Sequence, residues 1–182
     1  MAESRRTQMT KQLFRTALLE LMQEKPFHKI TIKEICEQAD LNRTTFYLHY
    51  NDQNELRNEI ISIFENDMVE YVSTFRDEDN KIDNMAKFLN YVKDNVVLYR
   101  VLMGSDIDGG AKTKIIRHVL GELKDDMPVF GNDLENKYVY TSMIEGTSSI
   151  ITRWINDGFD LSPAELATLI YKLHEIIKQP WQ

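Results

Sequence analysis

Apolar residues recur at three- and four-residue spacing along almost the whole chain, and no stretch alternates with the period of two that a strand needs. From Thr7 to Glu24, Leu13, Phe14, Ala17, Leu18, Leu21 and Met22 share one helical face. Lys25-Pro26 ends that helix, because a residue before proline avoids the α region. Phe27 and Ile30 would pin the link that follows to the core. Two short helices are expected between Thr31 and Tyr50. From Asp52 to about Phe75, the positions Leu56, Ile60, Ile63, Phe64, Met68, Tyr71 and Phe75 predict one helix of roughly 36 Å at ~1.5 Å per residue. Residues 76–81 (RDEDNK) read as a charged loop. Helices are then expected near 82–95, with Met85, Phe88, Leu89 and Val92 inward, and near 96–103, with Val97, Leu98, Val101 and Leu102 inward. The run GSDIDGG (104–110) breaks the pattern. A helix over about 111–126 follows, then a loop from Met127-Pro128 to Asn132-Asp133. The helix over 134–156 stops before Gly158, a natural residue after a helix end. The last helix opens at Ser162 with Pro163 and Glu165, a capping box with proline at its first position. The fold class is therefore all-α, with about nine helices.

The stretch TIKEICEQADLNRTTFYLHYNDQNEL (31–56) is the most informative. Thr31 and Glu34 fit a capping box, and Ile32, Ile35, Cys36 and Ala39 give the helix between them one apolar face. Asp40 tolerates the left-handed backbone that a sharp turn requires. Asn42 is a good N-cap, and Arg43-Thr44-Thr45 make a first turn rich in hydroxyls. Phe46 can pack inward while Arg43, Thr44, Tyr47 and His49 face out, and Asp52 with Glu55 suggests a second capping box. Two short helices around a tight turn, the second led by Arg and hydroxyls, follow helix-turn-helix logic, in which the second helix enters the major groove.

LNRTTFYLHYNDQNEL closely resembles the recognition segment of the TetR family of bacterial transcriptional regulators, and FHKITIKEICEQAD resembles that family's preceding helix. The resemblance covers roughly the first third of the chain. It implies a helix-turn-helix DNA-binding domain over 1–51, joined by the long helix to a helical regulatory and dimerisation domain over 52–182. On the chemistry of the residues, Arg43 is the best base reader, since Arg bonds guanine bidentately, and Thr44 or Thr45 suits a thymine methyl or a phosphate. The resemblance places Tyr47 and His49 at backbone-contacting positions and Lys33 at the groove edge. Thr31 and Asn42 cap the two helices, and amide groups at such an N-terminus can hold a phosphate. Two positions depart from the family pattern. Asp40 stands where Gly is common, and Gln53 where Lys is common. Gln can hydrogen-bond a phosphate but releases no counterion, so weaker non-specific affinity is expected.

A net charge of -7 sits awkwardly with DNA until its distribution is read. Residues 1–50 hold eight Lys and Arg against six Asp and Glu, a balance of +2, and the remainder balances at -9. Arg5, Arg6 and Lys11 cluster at the start of the first helix, where they could meet the DNA backbone. With 42% hydrophobic and 28% charged residues the composition is that of a soluble globule. No apolar run approaches the ~18 residues of a membrane span, and the first residues lack a secretory h-region. Cys36, alone, cannot close an internal disulfide and reads as a small core residue. A cytoplasmic location is expected.

In the family the last two long helices pair with their copies as a four-helix dimer interface. Here Leu166, Leu169, Ile170, Leu173, Ile176 and Ile177 offer an apolar stripe. Ser142, Gly146, Ser149 and Arg153 offer a neighbouring small one, and the resemblance favours the dimer interface over the alternative that both stripes are internal core. The resemblance also implies a small-molecule pocket in the body, which Tyr91, Tyr99, Met103, His118, Met143 and Trp154 could line; residues of these types at helical spacing are more often core. His28, His49, His118 and His174 are scattered without metal-ligand spacing, and there is no G-x-S-x-G, so neither a catalytic site nor a metal or other cofactor is expected. The function expected is a sequence-specific regulator of transcription. It would be a homodimeric repressor on a palindromic operator, released by a small ligand. The alternative is a helical interaction module whose body binds a protein partner.

Overall fold

The computed structural model describes residues 4–74, 79–104, 110–123 and 129–178. Among these it has nine α-helices, one 3-10 turn and no strand. They run α1 (Arg5–Glu24), the 3-10 turn (Phe27–Lys29), α2 (Ile32–Gln38), α3 (Arg43–Tyr47), α4 (Gln53–Ser73), α5 (Lys81–Asp94), α6 (Val96–Met103), α7 (Ala111–Leu123), α8 (Asp133–Asn156) and α9 (Pro163–Lys178). Phe75 and residues 76–78, 105–109 and 124–128, on which parts of the expected helices and loops fall, lie outside the described residues.

The chain divides into two compact units, one of residues 1–66 with 97–112 and one of 67–96 with 113–182. In the first, α1 begins earlier than its apolar pattern, because Ser4 Oγ accepts the Thr7 amide at 3.2 Å and caps it. Phe14, Leu18, Met22, Ile30, Ile35, Phe46, Leu56 and Phe64 are buried there, and Cys36 is buried as expected. Leu13 is not; it is exposed, because the apolar arc of α1 is wider than the face its neighbours cover.

In the second unit α5 packs along α9, and Lys81 Nζ lies 4.6 Å from the centre of the Tyr171 ring. α8 starts one residue before the expected Leu134. Asn132 Oδ1 accepts the amides of Leu134 and Glu135 at 3.0 and 3.1 Å, and Glu135 returns a bond to the Asn132 amide at 2.8 Å. That capping box was hidden inside the expected loop. The end of α8 is a Schellman motif: the Phe159 amide donates to Trp154 O at 2.8 Å and Gly158 to Ile155 O at 3.3 Å. Gly158 takes φ +79°, and Phe159 packs edge-on to Trp154 with ring centres 4.8 Å apart. The Trp154 indole N–H closes the corner by donating to Leu161 O at 2.8 Å. α9 opens with the expected box: Ser162 Oγ accepts the Glu165 amide and the Glu165 carboxylate accepts the Ser162 amide.

The apolar stripe of α9 is two rows. Leu166, Ala167 and Ile170 are buried in the chain's own core, whereas Leu169, Leu173 and Ile176 face outward.

Gly158 has open space where a Cβ would stand, so Gly158→Ala meets only the backbone penalty of a positive φ. It should destabilise the chain by about 1 kcal/mol in chemical denaturation. A denaturation curve identical to that of the parent protein would contradict this account of the corner.

Candidate nucleic-acid interface

α2 and α3 are too short to persist alone, so their ends are fastened locally. Thr31 Oγ1 accepts the Glu34 amide at 3.3 Å, and Glu34 Oε2 accepts the Thr31 amide at 2.9 Å. Lys25 Nζ reaches the other Glu34 oxygen at 2.5 Å. The bond from Lys25 foremost, then those from Thr31, hold the Glu34 carboxyl down to about 2, from an ordinary 4.5. α2 ends in a second Schellman motif, with Leu41 N–H on Cys36 O at 2.9 Å and Asp40 N–H on Glu37 O at 3.2 Å. Asp40 takes the left-handed position at φ +53°, as its type in the turn predicts. Asn42 then caps α3, its Oδ1 accepting the Thr45 amide at 2.8 Å.

α3 is held from behind by aromatic rings. Phe46 is fully buried, edge-on to Phe14 at 5.2 Å and tilted against Tyr50 at 5.5 Å. The Tyr50 hydroxyl donates to Glu59 Oε1 at 3.1 Å. The same carboxylate takes Arg15 Nη1 at 2.6 Å and Lys11 Nζ at 3.1 Å. Burial pushes the Glu59 carboxyl up, but the bonds from Arg15, Lys11 and Tyr50 outweigh it and hold the group below its usual range. α1, the end of the α3 segment and α4 are thus tied at one carboxylate. Lys11 therefore points at Glu59, not outward to a DNA backbone. Periodicity within one helix carries no sign of this clamp, because its partners lie 44 and 48 residues away from Glu59.

On the outer side Arg43 and Thr44 are exposed, and Tyr47 is 57% exposed with its ring edge-on to Phe46 at 5.7 Å. Among the described residues Arg43 has no ion-pair partner. His49 is half-buried, with its ring 6.4 Å from that of Tyr50. Thr45 is half-buried and its hydroxyl is held by Asn42 at 3.0 Å, which leaves it poorly placed to reach a base. Thr31 is exposed, with its hydroxyl given to the cap. Lys33 is exposed, 3.6 Å from Glu37, and Gln53, half-buried, opens α4. The second capping box differs from its expected form. Asp52 Oδ1 accepts the Asn54 and Glu55 amides, but Glu55 reaches back to the amide and side chain of Asn51, not to Asp52.

The body residues are placed as follows. Tyr99 and Met103 are buried in the first unit, and Tyr91, His118, Met143 and Trp154 belong to the second. His118 is exposed, so it lines no interior. Tyr91 donates to Asp67 at 2.6 Å, and Trp154 makes the α8–α9 corner. Burial foremost, then the Asp67 carboxylate, pushes the Tyr91 hydroxyl far above its ordinary value, so it stays protonated and donating. Of the expected dimer residues, Ser142, Gly146, Ser149, Arg153, Leu169 and Leu173 are exposed and Ile177 is half-buried. Leu166 and Ile170 are buried within the single chain because they fall on the inner row of α9, so their side chains are not open to a second copy.

Residues 15–60 match the family described as bacterial regulatory proteins, tetR family, and residues 79–175 match the one described as transcriptional regulator C-terminal region. The chain is 29% identical over 98 residues to the HTH-type dhaKLM operon transcriptional activator DhaS of Lactococcus lactis subsp. lactis (strain IL1403). That match covers 54% of this chain and 51% of that protein, so it spans about half the length of the curated relative. In fold the chain is similar to a TetR transcriptional regulator from Streptococcus agalactiae 2603V, with TM-score 0.63, 17% identity and coverage of 93% of this chain and 95% of that one. It is also similar to a dihydroxyacetone kinase operon activator DhaS, with TM-score 0.56, 22% identity and coverage of 95% and 98%. At these identities the structural likeness is one of fold.

The Glu34 carboxyl has a depressed value in the folded chain, so its contribution to stability is present above its ordinary value of 4.5 and is lost as pH falls to about 2. Glu34→Gln should therefore lower the unfolding midpoint at neutral pH, and the gap from the parent should close as pH drops through that window. A gap that stays constant down to pH 2 would contradict the role given to the carboxylate.

Proposed function

Since the chain belongs to the TetR family of bacterial transcriptional regulators, we propose that it is a homodimer that reads a palindromic operator through α3 of each copy. Its helix-turn-helix is the family's DNA-binding element, and the chain is a regulator of transcription. The observation that carries the finer reading is the outward face of α3, where Arg43, Thr44 and Tyr47 stand in solvent on a helix pinned from behind by Phe46. On this reading residues 1–51 are the DNA-binding domain and residues 52–182 the regulatory and dimerisation domain. Arg43 bonds guanine, and Thr44 contacts a base or a phosphate. Tyr47, His49, Lys33, Gln53 and the amides capped by Thr31 and Asn42 set the register on the phosphates.

The dimer surface we assign is the outer row of α9, Leu169, Leu173 and Ile176, beside Ser142, Gly146, Ser149 and Arg153 of α8. Three large apolar side chains recur there at i, i+4 and i+7, each 38–60% exposed among the described residues, and Gly146 has open space above it. Occupying a promoter-overlapping palindrome represses by exclusion. A second reading, activation, is favoured by the likeness to the activator DhaS.

Selection of bound duplexes from random DNA should return a palindrome whose half-sites are separated by about one helical turn, ~34–36 Å between centres. Arg43→Ala should then cost about 1–3 kcal/mol on the selected duplex and relax choice at one base pair per half-site. Affinity unchanged across a substituted operator series would remove Arg43 from the reading. The double change Leu169→Glu with Leu173→Glu should leave a folded monomer in sedimentation at micromolar concentration. A dimer that survives both charges lies on another surface.

A further inference from the structure

Leu48 is 75% exposed, more than any other large apolar residue of the first unit among the described residues. It caps α3 with helical backbone (φ −72°, ψ −19°), and its amide donates to Thr44 O at 3.2 Å, so it keeps the phase of the helix. At ~100° per residue, Arg43, Tyr47, Thr44 and Leu48 fall within an arc of about 140°, and buried Phe46 lies opposite. Leu48 is thus one turn beyond Thr44, on the same face as the side chains assigned above to DNA. A lone exposed leucine is ordinary on a protein surface. This one adjoins Tyr47, itself more than half exposed, on a helix of five residues.

We propose that Leu48 is a specificity-determining residue that reads the 5-methyl group of a thymine in the major groove. The inference rests on the reading of α3 as the operator-contacting helix. The side chain has no donor or acceptor, so it gains nothing from a phosphate and cannot match a polar base edge. Thymine's methyl is the one apolar feature that the major-groove edge of a base pair offers. Contact between the two removes both apolar surfaces from water. Arg43 at the start of the face then selects guanine, and Leu48 at its end selects thymine, so the two ends of α3 read different chemistry.

The test uses the full chain and the duplex it selects from random DNA. Each thymine is replaced singly by deoxyuridine, which removes the methyl and keeps base pairing. The parent protein should lose about fourfold in affinity at one thymine, or at that thymine and its symmetry mate, as expected for one apolar carbon taken from water. Leu48→Ala should bind the thymine duplex about that much more weakly and be indifferent to the same replacement. Its far-ultraviolet circular dichroism and unfolding midpoint should match the parent, since the side chain is exposed. A parent insensitive to uracil at every position, or a Leu48→Ala variant that keeps the full sensitivity, overturns the role of Leu48 while operator binding stands. Failure to select any duplex overturns the operator reading, and the role of Leu48 with it.

Discussion

A helix of five residues makes too few internal hydrogen bonds to offset the entropy of ordering it. α3 therefore depends on the insertion of Phe46 between Phe14 and Tyr50. That insertion fixes the rotation of the helix about its own axis. Once Phe46 points inward, Arg43, Thr44, Tyr47 and Leu48 have no choice but to point out. The arrangement is reinforced at Tyr50, whose hydroxyl joins Lys11 and Arg15 on Glu59. Aromatic packing supplies the apolar anchor, and the carboxylate fixes where α1 and α4 stand relative to it. Because the clamp is half-screened by solvent, its role is better described as fixing geometry than as a large store of stability.

The same clamp changes how the charge of the first fifty residues is to be understood. Eight cations against six anions suggests a modestly basic head. In space, Lys11 and Arg15 face Glu59, Lys25 faces Glu34 and Lys33 lies near Glu37. Arg43 stands apart from these pairs at the start of the outer face. Attraction to a polyanion is therefore concentrated on fewer groups than the count implies. With Gln53 in place of a lysine, the proposed operator reading would then have weak sequence-independent binding and discrimination resting on the side chains of α3.

Legibility followed sequence distance. The caps at Thr31, Asn42 and Ser162, and the left-handed Asp40, each rest on residues within about five of one another, and residue type alone pointed to them. The Glu59 clamp joins residues 44 and 48 apart and left no local trace. Periodicity also reveals that a helix has an apolar stripe without saying what covers it. On α9 it merged an inner row, Leu166 and Ile170, with an outer one, Leu169 and Leu173, because both satisfy spacings of three and four. On α1 it drew in Leu13, which is exposed. At α8 the box of Asn132 and Glu135 falls inside the expected loop, where Gly131 and Pro128 are loop signals of the same local kind. Leu48 carries no local signal: residue type does not tell an apolar side chain at the end of a short helix from a core one, and only its phase in α3 places it outward.

The brevity of α3 also bears on why one copy would not suffice. Its outer arc holds four side chains, and each well-matched contact discriminates by only about 1–3 kcal/mol against the wrong base. A specific site must stand out from non-specific DNA by roughly 4–10 kcal/mol, against a genome of competing positions. Two or three such contacts sum to about 2–9 kcal/mol, which lies securely inside that range only when each is near its best. A two-fold copy doubles the reading without a longer helix, and a symmetric operator costs no new protein surface. If α3 reads the operator and the outer row of α9 joins two copies, as proposed above, the two surfaces answer one requirement. On the proposed reading, a second copy of so short a helix adds its contacts to the first, and the sum no longer depends on every contact being ideal.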